Sequence, residues 1–288
     1  MGGGFFLRKV SLERMSNNSK FLVPLTDGLA VEAVYYGSGT LCISSQAGCA
    51  VGCPFCASGS RGLLRNLSVA ELWAQIEGAR ALGIVPKRLT LSGVGEPLHN
   101  FSAVVEFLEV CRSLNLPLSL TTTGSPTPLF REMIRLPHNG LMLSLHAGRA
   151  ATHRRLIPRG AELGEVLSVL QETLAGISRR RRRKLGINYL LLAGINDSPA
   201  EFTELLPLFQ RFPELTLHLL TCNPVPDSAF VSPDSARVDE LHAWLSAQGV
   251  NARRANAWRI QADGGCGTLF VRTLADRAIG VDGQLVLG

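Results

Sequence analysis

The sequence contains no long apolar run, and this absence excludes a membrane-spanning helix. Hydrophobic residues make up 46% of the 288 residues, but no stretch approaches the roughly 18 consecutive apolar residues needed to cross a bilayer. The first residues, MGGGFFLRKVSLERM, also lack the sustained apolar core of a secretory signal. We therefore expect a cytoplasmic protein without membrane contact, whose seven cysteines lie in a reducing compartment.

Composition limits the size and the partners of the protein. A chain of this length holds one large or two modest domains, and its apolar content is sufficient for a buried core. Lys and Arg outnumber Asp and Glu by 29 to 23, a net charge of +6, which mildly favours a polyanionic partner such as RNA. Many enzymes of small substrates are equally basic, so charge alone does not decide the partner.

Three closely spaced cysteines carry the strongest chemical signal. Cys49, Cys53 and Cys56 stand at C-x3-C-x2-C spacing, just after a short apolar strand predicted at 40–44. Neither a His nor a fourth Cys lies nearby at zinc-finger spacing, so the triad favours a metal centre with one open position over a closed tetrahedral site. A 4Fe–4S cluster held by three thiolates leaves one iron free to bind and reductively cleave S-adenosylmethionine (SAM). The spacing resembles the signature of radical SAM enzymes.

Two other interpretations of the triad remain open. A disulfide pair with a spare thiol would need an oxidising compartment. A zinc site could recruit a distant fourth ligand, since Cys42, Cys111, Cys222 and six His are available elsewhere.

Apolar runs of five to seven residues alternate with helical patterns along the chain. We predict strands at about 40–44, 88–93, 117–122, 141–146, 186–192 and 216–221, and helices at about 68–82, 100–113, 127–135, 161–177, 199–210 and 234–247. Such runs suit a parallel sheet buried on both faces, and six repeats predict an α/β fold with a partial (β/α)6 barrel. A small β-hairpin is predicted before it at 21–36, turning at Asp27 and Gly28. The predicted domains are an N-terminal lead and hairpin (1–39), the barrel (40–225) and a C-terminal extension (226–288).

Polar residues cluster just after each predicted strand, where a parallel barrel places its active site. The clusters are the cysteine triad and residues 93–97, 121–124, 144–146, 194–197 and 222–224. Six such loops in register predict a ligand lying across the barrel mouth. The arginine run 179–183 precedes a strand instead, on the opposite face. We interpret it as a solvated charge run, with an auxiliary RNA phosphate contact as the alternative.

Two further cysteines complete the pattern. Cys42 lies seven residues before Cys49, and Cys266 lies near the C-terminus in the segment DGGCG, whose glycines leave a thiol accessible. With the segments TLCISSQAGCAVGCPFC, SGVGEPLHN, LSLHA and CNPVP, in this order, they resemble the RlmN/Cfr family of radical SAM RNA methyltransferases over about residues 21–278. A lone GEP or SLH is a weak signal, whereas the whole set is specific.

The resemblance implies a role for each matching residue. Cys49, Cys53 and Cys56 would ligate the 4Fe–4S cluster. Thr121 stands where the family has Ser, which keeps the hydroxyl. The positions that would contact SAM are Gly95, Glu96, Thr121, Ser144, Leu145, His146 and Asn223.

The resemblance also implies the reaction. Cys266 would be methylated by one SAM and would then lose a hydrogen atom to the 5′-deoxyadenosyl radical from a second. Its methylene radical would add to carbon 2 or carbon 8 of an adenine in 23S rRNA or tRNA. Cys42 would release the methylated base by forming a disulfide with Cys266 in the catalytic loop of the extension, and Glu32 would accept a proton. Because these adenine carbons are electrophilic, direct methyl transfer from a sulfonium would fail, and radical addition avoids the problem.

Partners and departures follow from the same resemblance. A one-electron donor such as flavodoxin or ferredoxin would reduce the cluster, and we expect a monomer. The family usually carries an additional N-terminal helical domain that grips RNA, whereas about twenty residues precede the hairpin here, so we expect a short form. Two alternatives remain: a radical SAM enzyme of the same fold with a non-RNA substrate, and a non-catalytic cluster or zinc module that binds nucleic acid.

Overall fold

A large mixed sheet organises the molecule, because short apolar segments recur along the chain. The computed structural model describes residues 18–223, 225, 228–254, 267–273 and 285–286. The strands within these residues are β1 (Asn18–Pro24), β2 (Leu29–Tyr36), β3 (Thr40–Ile43), β4 (Gln46–Gly48), β5 (Leu63–Asn66), β6 (Arg88–Leu91), β7 (Leu118–Thr122), β8 (Gly140–Ser144), β9 (Leu185–Leu191), β10 (Thr216–Thr221), β11 (Ala252–Arg254), β12 (Val271–Thr273) and β13 (Leu285–Val286).

Helices connect most of the parallel strands. They are α1 (Val69–Ala81), α2 (Phe101–Ser113), α3 (Thr127–Arg135), α4 (Ala150–Leu156), α5 (Leu163–Ala175), α6 (Arg179–Arg182), α7 (Pro199–Thr203), α8 (Leu206–Arg211) and α9 (Ser235–Ala247). The start of α1 is set by a capping box between Ser68 and Glu71, a signal that is visible in the sequence. In the described part of the chain, none of the helices is long and apolar enough to span a membrane.

The strand order confirms the partial barrel. The main sheet runs β11-β10-β9-β8-β7-β6-β3-β2-β1-β13, and β12 also pairs with β2. Pairing is parallel from β3 through β6, β7, β8, β9 and β10 to β11. All six predicted barrel strands are present. The seventh parallel strand, β11, has only three residues, too few for a periodic pattern to be read.

The predicted hairpin forms and continues the barrel sheet. β1 and β2 pair antiparallel, and Gly28 takes the left-handed conformation at their turn with φ of +83°. The Leu29 amide donates to the Asp27 carboxylate at 3.1 Å, which stabilises the turn. Because β2 also pairs with β3, the hairpin lies beside the strand that leads into the cysteine loop.

Helix boundaries differ from the prediction at two places. The helix predicted over 199–210 is split into α7 and α8, because Pro207 lacks an amide hydrogen and starts a new helix at its first turn. The short helices α4 and α6 were not predicted. Each spans two turns or fewer, so neither carries enough periodicity to stand out from a loop.

Two apolar clusters position the functional end of the barrel. The larger one fills the space between sheet and helices, with Phe21, Phe107 and Tyr189 fully buried. The smaller one lies at the carboxyl ends of the strands. It packs Phe55 of the cysteine loop against Leu220 at the end of β10 and the segment after α4, so the loop rests on an apolar base.

Candidate active site at the carboxyl ends of the parallel strands

A cavity opens where the strand-end pattern predicts a ligand. It holds about 930 Å³ of empty space, including its open mouth. Residues at the ends of six parallel strands contribute to its wall. The lining residues are Cys49, Val51, Cys53, Phe55, Cys56, Ser58, Ser92, Gly93, Gly95, Glu96, Thr121, Thr122, Thr123, Ser144, His146, Asn188, Leu190, Leu220, Cys222, Asn223 and Gly267.

The cysteine loop is fixed by backbone hydrogen bonds and by one close glycine contact. The Cys49 amide donates to the Gly62 carbonyl at 2.9 Å, and the Cys56 amide donates to the Cys53 carbonyl at 3.0 Å. Gly48 has φ of +81°, and a Cβ atom there would meet the Gly62 oxygen at 2.0 Å. A side chain at residue 48 would therefore push β5 away from the loop.

All three cysteine side chains line the cavity. Burial raises the pKa of Cys49 to about 12, and the nearby negative charges of Glu96 and Cys56 act in the same direction. Burial also raises the pKa of Cys53. Binding a metal centre would therefore release protons from these two thiols. Among the described residues, no three His, Cys, Asp or Glu side chains converge on one point, as a single metal ion requires, whereas a cluster accepts thiolates on separate irons.

Glu96 places a carboxyl group in the wall of the cavity, after β6. One carboxylate oxygen accepts hydrogen bonds from the Thr122 hydroxyl and the Leu98 amide, and the other accepts from the amide and the hydroxyl of Thr123. Burial raises the pKa of Glu96, while these hydrogen bonds act in the opposite direction. A cationic group bound beside Glu96 would stabilise the charged carboxylate.

Gly95 allows the loop to approach the neighbouring strand end. It has φ of +109°, and a Cβ atom there would lie 2.7 Å from Cβ of Gln46. The Gln46 side-chain oxygen accepts a hydrogen bond from the Glu96 amide at 2.7 Å, and this bond holds the loop in position. Only glycine satisfies both the conformation and the contact.

His146 is a buried imidazole after β8. Its Nδ1 accepts a hydrogen bond from the Leu190 amide at 3.0 Å, so the proton of the neutral ring lies on Nε2. Burial lowers the pKa of His146 to about 3, and the nearby charge of His153 acts in the same direction. The ring packs edge-on against Phe55, with centroids 5.2 Å apart. A neutral His146 thus links the β8 loop to the cysteine loop.

Two asparagines of the β9 region have different positions. Asn188 lies in the middle of β9 and lines the cavity, although its exposed fraction is only 4%. Sequence reasoning missed it, and the available signal was a polar residue inside an apolar run. Asn196 comes from the predicted loop 194–197 but donates hydrogen bonds to the carbonyls of His146 and Leu190, both at 2.7 Å. Asn196 thus stabilises the cavity by joining the backbones of two lining residues, His146 and Leu190.

The C-terminal segment returns to the cavity and bridges the cysteine loop and the hairpin. The Ala57 amide donates to the Gly267 carbonyl at 2.8 Å, and the Ser58 hydroxyl donates to the Leu269 carbonyl at 2.6 Å. Beyond this contact, β12 pairs antiparallel with β2. Cys266 lies outside the described residues, directly before Gly267 in the chain.

Glu32 is fully buried on β2 and is not among the residues that line the cavity. Its carboxylate forms salt bridges with Lys20 at 3.1 Å and with Arg272 at 3.2 Å. It also accepts a hydrogen bond from the Phe270 amide at 3.2 Å. A buried carboxylate requires such partners. These contacts fasten the C-terminal segment to the hairpin, and the proton-acceptor role of Glu32 stays a prediction.

Cys42 lies below the cavity rather than in its wall. It is buried on β3, and its Sγ is 3.3 Å from Oγ of Ser92, which lines the cavity. Of the positions predicted to contact SAM, Leu145 is fully buried in the main core. The other predicted positions line the cavity: Gly95, Glu96, Thr121, Ser144, His146 and Asn223.

The arginine run lies before β9, at the end of the barrel opposite the cavity. Arg181 donates to the Ile134 and Leu136 carbonyls near the end of α3, and Arg182 donates to the Leu174 carbonyl in the last turn of α5. Arg179 forms a salt bridge with Glu214 at 2.7 Å. Part of the run therefore caps helices, which the charge pattern alone did not reveal.

Known proteins are similar to this chain in sequence. The Radical SAM superfamily model matches residues 43–206. A probable RNA methyltransferase of Pseudomonas aeruginosa is 35% identical over 260 residues, covering 88% of this chain and 74% of that protein. A probable dual-specificity RNA methyltransferase RlmN of Chlorobium chlorochromatii is 33% identical over 267 residues, covering 88% of this chain and 72% of that protein. The chain belongs to the radical SAM RNA methyltransferase family.

A solved structure supports both the fold and the enzyme class. A radical SAM methyltransferase from Sphaerobacter thermophilus matches with a TM-score of 0.79 at 29% identity, covering 91% of this chain and 80% of that one. The partial barrel is thus the family fold, and this radical SAM protein is an enzyme of the transferase class. The resemblance to the RlmN/Cfr family is confirmed.

The radical SAM family implies a 4Fe–4S cluster and SAM, and the residues of the cavity fit both. Cys49, Cys53 and Cys56 bring three thiols to one cavity, on an apolar base that shields them. Beside them, Glu96 is a buried carboxyl that a cation would stabilise, which suits the amino group of SAM. A zinc or disulfide interpretation assigns no role to Glu96.

Proposed function

We propose that this radical SAM enzyme methylates an adenine carbon, carbon 2 or carbon 8, in rRNA or tRNA. The supporting observation is the return of the C-terminal segment. Gly267 follows Cys266 in the chain, lines the same cavity as the cluster cysteines, and is bonded to Ala57 beside Cys56. The residue that follows Cys266 is thus at the cavity, which favours methyl transfer through the thiol of Cys266. The names of the relatives favour RNA as the substrate.

The residues of the cavity would divide the work. Cys49, Cys53 and Cys56 would hold the cluster, and Glu96 would bind the amino group of SAM. The chemistry that the cluster and SAM supply when bound is one-electron cleavage of the sulfonium to a carbon radical. The apolar base under the cysteine loop, including Phe55, would keep water away from that chemistry.

The two remaining thiols would have separate tasks. Cys266 would carry the methyl group as a thioether and attach it to the base. Cys42, as a thiolate, would then attack the sulfur of Cys266, so that a disulfide forms while the bond between that sulfur and the bridging carbon breaks. The electron pair of the broken bond would stay on this carbon and take up a proton, which gives the methyl group of the released base. The position of Cys42 directly behind the cavity wall supports this assignment, since its Sγ lies 3.3 Å from Oγ of the cavity-lining Ser92.

Two mass-spectrometric measurements test the proposal. Protein isolated from cells that supply SAM should carry a methylthioether at Cys266. RNA from cells with the protein should contain a methyladenosine, modified at carbon 2 or carbon 8, that is absent from cells without it. An unmodified Cys266 together with unchanged RNA would instead favour a radical SAM enzyme of this fold with a non-RNA substrate, such as a nucleotide or a peptide.

A further inference from the structure

The hydroxyl of Ser92 lies between the thiol of Cys42 and the cavity. Ser92 directly follows β6, is half-buried and lines the cavity. Its Oγ is 3.3 Å from Sγ of Cys42, which is within hydrogen-bond distance for sulfur. The exposed fraction of Cys42 is only 2%, and Cys42 is not among the described residues that line the cavity. Ser92 therefore contacts both the buried thiol and the space in which the substrate would react.

A second hydroxyl orients the side chain of Ser92. Oγ1 of Thr90 lies 3.2 Å from Oγ of Ser92, and Thr90 is buried on β6, where it pairs with Cys42 of β3. A hydroxyl carries one hydrogen and accepts through its lone pairs. When Thr90 donates to Ser92, the hydrogen of Ser92 is left for the sulfur of Cys42. Each hydrogen bond in such a chain polarises the next and strengthens it.

Cys42 packs in a small apolar cluster. The other buried members of this cluster are Val34, Tyr36, Val94 and Leu269. An apolar environment disfavours a charged sulfur, although the thiolate is the form that attacks another sulfur. A hydroxyl that donates to the thiolate offsets part of this cost. Leu269 belongs to the segment 267–273, so the same cluster joins Cys42 to the part of the chain that follows Cys266.

Other groups hold the loop after β6 in place. The Gly93 amide donates to the Ile43 carbonyl at 3.0 Å, and the Val94 amide donates to the Ser44 hydroxyl at 2.9 Å. Ser92 itself lies beyond the last residue of β6. Removing its hydroxyl should therefore leave the strand and the loop intact, so a variant at this position reports on the hydroxyl itself.

We propose that Ser92 is a positioning residue for Cys42: its hydroxyl holds the sulfur at the edge of the cavity and donates a hydrogen bond to it when Cys42 reacts as a thiolate. The inference rests on the proposed function, in which Cys42 attacks the sulfur of Cys266. The proton of Cys42 passes to the oxygen of Ser92, while the hydrogen of Ser92 passes to solvent water. Ser92 thus keeps one hydrogen, which now bonds the thiolate, and the bond changes at sulfur and carbon are those of the proposed function.

Modification of Cys42 by methyl methanethiosulfonate, a small reagent that reacts with thiolates, tests this contact without RNA. The cluster-loaded enzyme is treated, and mass spectrometry follows the peptide that contains Cys42. Ser92→Ala should lower the thiolate fraction about 10- to 100-fold, the loss of one hydrogen bond to a charged group. Nucleophilicity rises as acidity falls, with a logarithmic slope of about 0.5, so the modification rate should fall only about three- to tenfold. Ser92→Thr keeps a hydroxyl and should restore the rate.

Two controls separate a local effect from a general one. The buried thiol of Cys111 on α2 should react at the same rate in every variant. Ser168→Ala makes the same substitution at an exposed position on α5 and should leave the rate at Cys42 unchanged. The role of Ser92 would be overturned by equal rates at Cys42 in the wild type and Ser92→Ala, by a rate that Ser92→Thr does not restore, or by equal slowing at Cys42 and Cys111.

A second readout assigns the effect to one step of the reaction. With RNA and SAM, rapid-quench electrophoresis should show that Ser92→Ala forms the RNA–protein adduct at the wild-type rate but releases it about three- to tenfold more slowly. Ser92→Thr should release it normally. Release at the wild-type rate by Ser92→Ala would overturn the inference. If the wild type forms neither an adduct nor methylated RNA, the proposed function fails, whereas the modification of Cys42 still decides the contact with Ser92 separately.

Discussion

At the residue scale, Glu96 is the side chain that we propose binds the amino group of SAM. It is buried, and four hydrogen bonds fix its carboxylate at the cavity wall. Glu96→Gln keeps the size of the side chain but removes the charge that would attract an ammonium group. We expect SAM affinity to fall about 10- to 100-fold, the loss of one hydrogen bond to a charged group. Isothermal titration calorimetry of the cluster-loaded enzyme measures this.

The matched control for this change is Glu106→Gln, at an exposed position on α2. It makes the same substitution on the same barrel without touching the cavity, so its SAM affinity should equal that of the wild type. Equal affinities in the wild type and Glu96→Gln would contradict the assignment of Glu96.

The same carboxyl group predicts a pH dependence. Because burial raises the pKa of Glu96, protonation begins at a higher pH than for an exposed Glu. Only the charged form attracts an ammonium, so SAM affinity should be complete above the raised pKa and should decline as the pH falls through it, above the usual Glu range near about 4.3. Titrations between pH 8 and pH 5 check this, and Glu96→Gln should show a flatter profile. A SAM affinity that rises as the pH falls would contradict the expected loss of binding on protonation of Glu96.

Much of the site could be predicted one residue at a time, and the reason is the geometry of parallel strands. Polar residues that follow buried strands, such as Glu96, Ser144 and Asn223, meet at one edge of the sheet whatever the details of the loops. Asn188 was not predicted because it lies inside a strand. Its place in the site depends on the direction of its side chain, which the sequence does not give. The burial of Leu145 likewise depends on which way one side chain points.

At the element scale, the attachment of β12 to β2 is the feature that holds the segment 267–273 in place, with Gly267 at the cavity. Glu32 forms a salt bridge with Arg272 and accepts a hydrogen bond from the Phe270 amide. Glu32→Gln would leave Arg272 and Lys20 without a counter-charge in a buried place. We expect faster hydrogen exchange at 267–273, with the parallel strands β6 to β9 unchanged. Amide exchange followed by mass spectrometry measures both regions in one experiment.

A proton-accepting role of Glu32 would give a different pattern. Glu32→Gln would then slow methylation while exchange at 267–273 stayed at the wild-type rate. The contacts of Glu32 join positions 238 and 240 residues apart in the chain, so no local sequence pattern could predict them. A three-residue strand such as β12 is also too short to give a periodic pattern in the sequence.

The arginine run gives a second prediction at this scale. Arg181 and Arg182 donate to carbonyls near the ends of α3 and α5, so replacing both with Gln should lower the free energy of unfolding by about 1–3 kcal/mol. Single-turnover methylation at saturating RNA should remain, because the run lies at the far end of the barrel from the cavity. Urea denaturation measures the stability, and Arg180→Gln is the exposed control. A loss of single-turnover methylation without a loss of stability would place the run at the active site.

At the scale of the whole molecule, alternation of strands and helices was enough to predict the barrel. Each repeat buries an apolar strand and covers it with a helix, so the pattern in the sequence follows directly from the layers of the fold. The return of the C-terminal segment has no such signature. It depends on hydrogen bonds from Ala57 and Ser58 to backbone carbonyls, and these contacts exist only after the barrel has formed.

We propose that Cys266 and Cys42 act in sequence on one adduct. Cys266→Ala should stop the reaction before any bond to RNA forms. Cys42→Ala should stop it afterwards, because the thiol proposed to attack the sulfur that links protein and base is then missing. The double variant should behave like Cys266→Ala.

The most direct test is gel electrophoresis of the Cys42→Ala enzyme after reaction with RNA and SAM. We expect a covalent RNA–protein complex through Cys266, seen as a shifted band that nuclease removes and that Cys266→Ala does not form. Normal methylation by both single variants, with no shifted band in either, would contradict methyl transfer through Cys266 and favour a radical SAM reaction on another substrate.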